Sequence, residues 1–336
     1  MQCRICGNQK DNQGYEAQEM MLGYRDVFLY FQCSICDCLQ IKNFPSDISK
    51  YYSDGYFSYK SVSKLNIIER LVKNLRNESA VFNRGIIGKL LYAKYPAIEY
   101  RSLAHLPIKK DYKILDIGCG AGIFLHSLRE IGFKNLLGID PFNEEDIEYG
   151  NGLRILKKNI HEVQGKWDLI MFHHSLEHIP DQEKILKIAF DLLKPGGYCI
   201  IRVPTVSSFA WKHYGMKWVQ IDAPRHFYLH SIKSIEILSK RTNFELSNVI
   251  YDSTAFQFWG SEQYLMNIPL NDLHSYLINP KNSLFSKKDI SKFSKSAKEL
   301  NAANLGDQAV FYLKKHCQII PDSCNDFRRT YFNYSD

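Results

Sequence analysis

An apolar segment runs directly into three alternating glycines, and this junction constrains the fold more than any other part of the chain. Residues 115–124 read LDIGCGAGIF, with Gly118, Gly120 and Gly122 at alternate positions, and a helical pattern follows over residues 123–131. Glycine has no Cβ, so the backbone can turn sharply here and approach a bound ligand closely. The helix that follows offers free N–H groups and the positive end of its dipole to an anionic group. The pattern therefore predicts a strand, a ligand-binding loop and a helix in succession.

Strand and helix signals alternate from Tyr112 onward, which predicts an α/β fold. We expect a doubly wound, mostly parallel sheet of seven strands, Rossmann-like, with helices on both faces. A helix over residues 181–193 is expected to end at the KPGG sequence, and another begins near Ser231. Residues 252–305 are expected to be irregular, and residues 309–313 to form an antiparallel edge strand. The other predicted strands are residues 113–117, 135–139, 153–156, 168–172, 198–203 and 244–251.

Composition and charge place the chain among globular proteins and limit its partners. Of 336 residues, 45% are hydrophobic and 24% charged, with a net charge of +7. The basic residues are dispersed, which argues against a nucleic-acid partner. No apolar run approaches the roughly 18 residues of a membrane span, and the N-terminus MQCRICGNQK has no signal-peptide core. We expect a cytoplasmic protein with one large and one small domain, or with two domains of ordinary size.

Two CxxC pairs stand close to the N-terminus and predict a metal site. They are Cys3 with Cys6 and Cys33 with Cys36, among nine cysteines in all. In a cytosolic chain such pairs favour metal ligation over disulfides. Four thiolates can surround one zinc ion at about 2.3 Å, and a closed site of this kind stabilises the fold without catalysing. Cys38 is a fifth candidate ligand, and a redox role or simple burial is the alternative.

Several motifs together resemble class I S-adenosylmethionine (SAM)-dependent methyltransferases. A dinucleotide-binding loop reads GxGxxG, whereas this loop is GxGxG with Ile123 at the position of the last glycine. Farther on, the chain reads WDLIMFHHSLEHIPD and then LLKPGGYCIIRVP. Across residues 112–254 this order is similar to the methyltransferases with D-x-I-x(4,5)-L-E-H-I followed by L-K-P-G-G. The resemblance implies SAM as the cofactor.

Cofactor contacts are expected in the loops that follow the first four strands of this core. Asp140 ends the second strand about 20 residues beyond the glycine loop, where a carboxylate can accept both ribose hydroxyls. Its alternative role is that of a turn former before Pro141. Asn159 and Ile160 follow the third strand and could meet the adenine. The predicted cofactor-binding residues are Asp116, Gly118, Cys119, Gly120, Gly122, Asp140, Pro141, Asn159, Ile160 and His173.

Histidines near the fourth strand are the candidates for a general base. Methyl transfer from a sulfonium is an in-line displacement, so the protein has to position the acceptor and accept its proton. Neutral histidine suits this task near pH 7. A structural loop is the alternative for Glu177 and His178, a salt-bridged loop for Arg225-His226, and an apolar seam for Tyr52, Tyr56 and Tyr59. The predicted catalytic residues are His226 and His178, then His174, with Glu177 and Tyr56.

The order of the motifs carries a second resemblance, which concerns the acceptor. The CxxC pairs, a YY-x(3)-Y-F segment, the core and WVQIDAPRHFYLHS at residues 218–231 occur in this order. This is similar to zinc-headed methyltransferases of bacterial sugar and polysaccharide pathways, some of which methylate carbon. It implies a sugar, nucleotide-sugar or glycan-precursor acceptor, with O- and C-methylation both open. An RNA or protein methyltransferase and a non-catalytic scaffold are the alternatives.

Four regions follow from these patterns. Residues 1–50 are expected to form the zinc-binding module, and residues 51–110 an aromatic and helical connector that contributes to the active site. Residues 111–255 are expected to form the SAM-binding core. Residues 256–336 are expected to form a substrate-facing insert and the closing strand.

Overall fold

The computed structural model describes residues 1–52 and 66–316, and these form two β-sheets with helices around the larger one. The strands are β1 (Gln13–Gln18), β2 (Val27–Gln32), β3 (Leu39–Ile41), β4 (Lys113–Ile117), β5 (Asn135–Ile139), β6 (Ile147–Glu148), β7 (Arg154–Leu156), β8 (Trp167–His173), β9 (Leu193–Pro204), β10 (Tyr228–Leu229), β11 (Glu245–Tyr251) and β12 (Gln308–Lys314). The helices are α1 (Ile67–Phe82), α2 (Ile86–Lys94), α3 (Ile123–Glu130), α4 (Gln182–Leu192), α5 (Phe209–Tyr214), α6 (Ile232–Arg241), α7 (Phe256–Leu265) and α8 (Lys287–Ala302).

The larger sheet is mixed and mostly parallel, in the order β11-β12-β9-β8-β4-β5-β7-β6. Strands β7, β5, β4, β8 and β9 are parallel to their neighbours in this series. From β4 the chain first builds outward through β5 to β7, and then returns to add β8 on the other side of β4. In open α/β sheets the crevice at such a reversal, outside the carboxyl ends of the strands, is where ligands bind. The ends of β4 and β8 flank that crevice.

Two expectations about this sheet are wrong. It has eight strands instead of seven, because the two-residue β6 pairs antiparallel with β7. The segment expected at the edge, β12, lies between β11 and β9 and is antiparallel to both. Six of its seven residues are buried, as an interior strand covered on both faces requires, whereas β11 at the edge has a partly exposed pattern.

Residues 252–305 are not irregular as expected, since they contain α7 and α8. Helix α7 is buried on most sides, so it lacks the one-sided apolar pattern by which surface helices are recognised. Helix α8 begins at a capping box, in which the Ser286 side chain accepts from the Asp289 N–H. The expected helices after Asp181 and Ser231 are present, and both residues are N-caps.

The smaller sheet joins the N-terminal segment to a distant part of the chain. Its order is β1-β2-β3-β10, and β10 pairs antiparallel with β3. The Tyr30 hydroxyl, buried under this sheet, donates to the His226 carbonyl at 2.8 Å. The N-terminal segment therefore packs directly against residues 222–230, which carry one of the candidate histidines.

In the part of the chain that the structure describes, no helix is both long and apolar enough to cross a bilayer.

Candidate active site and cysteine cluster

The three loop glycines occupy backbone conformations that other residues rarely adopt. Gly118, Gly120 and Gly122 have φ values of +71°, +54° and +74°. A Cβ on Gly118 would lie 2.5 Å from the Cβ of Ser175, and one on Gly122 would collide with the Ile155 Cδ1. The loop thus brings its backbone against β7 and against the residues that follow β8.

Two buried carboxylates lie at the carboxyl ends of β4 and β5. Asp116 is 2% exposed, and its Oδ1 has no hydrogen-bond partner among the described residues. Burial, reinforced by the charge of Asp140, raises the pKa of Asp116 to about 8. Asp140 accepts the Gly120 N–H at 2.8 Å and the Phe142 N–H at 2.9 Å, across the intervening Pro141. A cationic ligand would supply the counter-charge that Asp116 lacks.

The other predicted cofactor contacts surround the same edge of the sheet. Asn159 is exposed after β7, and its N–H donates to Glu162 at 2.8 Å, whereas Ile160 is 3% exposed. Cys119 packs beside Gly138 of β5. His173 ends β8, with its ring centroid 4.6 Å from that of Phe124, and burial lowers its pKa well below the usual value.

The loop after β8 carries a fully buried carboxylate, Glu177. Neither of its oxygens has a hydrogen-bond partner within the described residues. Arg202 Nη1 lies 2.7 Å from His174 Nε2, and because arginine can only donate, the His174 proton must be on Nδ1, 3.4 Å from Glu177. Burial would raise the pKa of Glu177, but the adjacent imidazoles of His174, His178 and His226 lower it to about 2.

His178 and His226 converge on this carboxylate from different parts of the chain. His178 Nδ1 lies 2.8 Å from the Arg225 carbonyl, and His226 Nδ1 lies 2.8 Å from the Gln220 carbonyl. A carbonyl only accepts, so each ring carries a proton on Nδ1, and in its neutral form it presents a lone pair on Nε2. The ring centroids are 4.8 Å apart. Burial, partly opposed by Glu177, lowers the pKa of His178 to about 4, so this ring is neutral at pH 7.

An ion-pair network that the sequence analysis missed holds His226 in place. The completely buried Arg225 donates to both oxygens of Asp222, and lies 3.4 Å from Glu19 of the N-terminal segment. Asp222 Oδ2 is 3.8 Å from His226 Nε2. The sequence could have indicated Asp222, an acid four residues before His226 in the segment DAPRH. Nothing in the sequence indicated Glu19.

Of the candidate tyrosines, only Tyr52 is among the described residues. Its hydroxyl lies 3.3 Å from His178 Nδ1, so the connector does reach the histidine cluster. Tyr56 and Tyr59 lie outside the described residues, and the role predicted for Tyr56 stays a prediction.

The four cysteines of the CxxC pairs converge as their spacing predicts. Their sulfurs all lie within 4.8 Å of one another, with Cys3 to Cys36 at 3.5 Å and Cys6 to Cys33 at 3.4 Å. Sulfurs about 2.3 Å from a zinc ion would be about 3.8 Å apart in a tetrahedron. Cys38 stands apart from this group, with its sulfur 4.0 Å from His230 Nδ1.

Comparisons with known proteins give the class of the protein. Residues 90–249 match a family model described as a methyltransferase domain. Ubiquinone biosynthesis O-methyltransferase of Shewanella pealeana is 29% identical over 180 residues, which cover 45% of this chain and 75% of that protein. Its counterpart in Xanthomonas oryzae is 23% identical over 198 residues, covering 52% of this chain and 83% of that protein.

Among solved structures, a SAM-dependent methyltransferase from Thermotoga maritima, a possible histamine N-methyltransferase, matches with 19% identity and a TM-score of 0.41. The match covers 74% of this chain and 94% of that one. From the family model and the relatives, residues 90–249 form a methyltransferase domain, and the chain is a SAM-dependent methyltransferase.

Proposed function

We propose that this enzyme transfers the methyl group of SAM to a sugar, nucleotide sugar or glycan precursor, with a hydroxyl as the preferred acceptor. The observation that carries the proposal is the convergence of Glu177, His178 and His226 beside the loop that contacts the glycine turn. A sugar hydroxyl is a weak acid and needs help to lose its proton. The resemblance of the whole motif order to zinc-headed sugar methyltransferases supports the acceptor class, and C-methylation remains open.

SAM is expected to lie across the ends of β4, β5 and β7. In this arrangement Asp116 pairs with the ammonium of the methionine end, which would give its unpartnered oxygen a donor. Asp140 accepts from the ribose hydroxyls, and Asn159 and Ile160 meet the adenine. The positive-φ glycines let the loop pack closely against Ser175 and Ile155 at the end of the sheet, and Cys119, Pro141 and His173 complete the walls of the cofactor site.

A histidine accepts the proton of the acceptor in this proposal, and His226 is the first choice. His226 and His178 each present an Nε2 lone pair, whereas Nε2 of His174 already accepts from Arg202. His174 is therefore the third choice, and Glu177 orients the rings and stabilises the imidazolium that forms. The new bond joins the methyl carbon to the acceptor, the carbon–sulfur bond breaks, and its electron pair remains on sulfur.

We further propose that the four clustered cysteines hold one structural zinc ion. The zinc would fix the N-terminal turns that support β1 to β3. In this scheme the region of α7 and α8 faces the acceptor, and Tyr52 brings the connector to the site.

A labelled-methyl transfer screen tests the acceptor. We expect methyl incorporation into at least one member of a panel of nucleotide sugars and glycan precursors, and its loss in His226→Ala. His274→Ala is a matched control, because His274 is exposed and pairs only with Asp272 in the described structure. A second candidate acceptor, a hydroxyl of a compound in ubiquinone biosynthesis, is suggested by the names of the relatives. Transfer to such a compound and to no sugar would refute the sugar assignment, and transfer only to RNA or protein would favour the alternatives.

A further inference from the structure

Glu177 is a buried anion that its surroundings leave incompletely neutralised. Its side chain has no exposed surface, and neither oxygen accepts a hydrogen bond among the described residues. The nearest ring nitrogens are His174 Nδ1 at 3.4 Å and His226 Nε2 at 4.0 Å. Buried carboxylates are normally hydrogen-bonded, paired or bound to a metal ion. Apart from the distant Nδ1–H of His174, the described residues give this carboxylate no donor, which is the setting of a carboxylate that binds a ligand.

His178 and His226 are arranged as metal ligands usually are. Each donates Nδ1–H to a backbone carbonyl, His178 to Arg225 and His226 to Gln220, both at 2.8 Å. Metal-binding histidines typically fix their tautomer in this way, with the other nitrogen free to ligate. Three donors are therefore available here, two Nε2 lone pairs and a carboxylate oxygen.

The charges around the cluster favour a cation. Asp222 lies 3.8 Å from His226 Nε2, and Arg225 pairs with both Asp222 and Glu19. The carboxylates of Glu177, Asp222 and Glu19 thus lie close to the one guanidinium of Arg225 in this part of the described structure. Arg202, which contacts His174, is itself paired with Asp252 at 2.6 Å.

We propose that Glu177, His178 and His226 bind a divalent transition-metal cation, as a second metal site separate from the cysteine cluster. One ring nitrogen of each histidine and one oxygen of Glu177 lie within 4.8 Å of one another, whereas ligands about 2.1 Å from one ion would be about 3.4 Å apart. Side-chain movements of about 1 Å would close that difference. Two imidazoles and one carboxylate suit zinc, manganese, iron(II) or cobalt, and leave further coordination positions open.

The open positions suggest how the cation would serve catalysis, and this part of the inference rests on the proposed function. An acceptor hydroxyl bound to the cation would become more acidic and release its proton to solvent. Its oxygen would then take the methyl group, with the electron pair of the carbon–sulfur bond left on sulfur. In the metal-loaded enzyme His178 and His226 would act as ligands, and this step would replace proton transfer to a histidine.

Cobalt(II) titration of the full chain tests the binding, with the cysteine cluster first loaded with zinc. We expect one cobalt per chain with weak visible absorption typical of nitrogen and oxygen ligands, and without the intense bands of thiolate ligation. Glu177→Gln keeps the shape of the side chain and removes its charge, and should weaken cobalt binding at least tenfold. His274→Ala should bind cobalt like the unaltered chain. No cobalt bound beyond the cysteine cluster, or equal affinity in Glu177→Gln, would overturn the proposal.

A second measurement needs no variant and so does not depend on whether Glu177→Gln folds. Manganese(II) added to the unaltered chain should broaden the ring resonances of His178 and His226 at substoichiometric amounts, and those of His274 much less. Uniform broadening of all histidines would contradict a specific site. Cobalt binding without methyl transfer to any hydroxyl would refute the proposed function and support the metal site. Metal-independent methyl transfer with no cobalt bound would refute the metal site and support the proposed function.

Discussion

Replacing Asp116 by asparagine should change the stability of the enzyme in a strongly pH-dependent way. Asp116 is buried at the end of β4, and its pKa is raised from 3.8 to about 8 by burial and by Asp140. An acid whose pKa is higher in the folded state binds more protons there, so stability falls as pH rises between the two pKa values. The free-energy penalty for ionising the buried carboxyl is absent below about pH 4, and above about pH 8 it is complete and constant.

The expected magnitude follows from the size of the shift. Each pH unit within this window changes the free energy of unfolding by about 1.4 kcal/mol. Asp116→Asn has no ionisable group at this position, so its stability relative to the unaltered chain should rise by about 2.7 kcal/mol between pH 5 and pH 7. The histidines and Asp307 also make the free energy of unfolding depend on pH. They do so in both proteins, so their contributions cancel in the difference.

Urea denaturation followed by tryptophan fluorescence at one-unit intervals from pH 5 to pH 9 measures this difference. Asp111→Asn, the same change at an exposed side chain two residues before β4, is the matched control and should show a far smaller slope. If the difference in free energy of unfolding between Asp116→Asn and the unaltered chain does not change with pH, the reasoning is refuted. Such a result would mean that the buried carboxyl ionises in the folded state without penalty. Saturating SAM should remove most of the slope of the unaltered chain if its ammonium pairs with Asp116.

Four further outcomes test other parts of the site. Asp140→Ala should weaken SAM binding at least tenfold in calorimetry, and unchanged affinity would exclude the ribose contact. His226→Ala should lower kcat far more than it changes the Kd of SAM; full turnover in this variant would exclude His226 as base or ligand. Cys33→Ser should contain one zinc fewer per chain than the unaltered protein by metal analysis, and equal contents would contradict the four-thiolate site. Gly122→Ala places a Cβ against Ile155 at φ +74°, so a loss of about 1–3 kcal/mol is expected in denaturation, and normal stability would show that the loop can relax.

The parallel core could be predicted from the sequence because each strand is a short apolar run that ends at a turn signal. The predicted bounds of β4 and β5 match the structure, and those of β8 differ by one residue at each end. The position of β12 was missed although its continuous run of apolar residues is typical of a strand buried on both faces. The two residues of β6 carry no periodic signal at all. Strand order depends on packing between distant segments, which local patterns do not report.

In the candidate site, too, local motifs could be predicted from the sequence, whereas contacts between distant segments could not. Local motifs sufficed to single out Glu177 and His178, which are adjacent in the chain, and His226 within its conspicuous segment. Next to His226, the ion pair of Arg225 with Glu19 joins residues that are 206 positions apart. Such a contact leaves no spacing or periodicity in the sequence. Its existence became visible only through the smaller sheet that brings the two segments together.

This connection implies that the cysteine cluster and the histidine cluster depend on each other. Cys3 accepts from Gln40 of β3 at 2.9 Å, and the backbone carbonyl of Cys36 accepts from the Ser231 hydroxyl. Strand β3 pairs with β10, two residues after His226, while Glu19 follows β1 in the same sheet and contacts Arg225. A zinc ion that fixes the cysteine turns would thus also fix the sheet edge on which Arg225 and His226 rest. If the cysteines hold zinc as proposed, its removal should impair methyl transfer, because the segment that carries His226 is held from the N-terminal side.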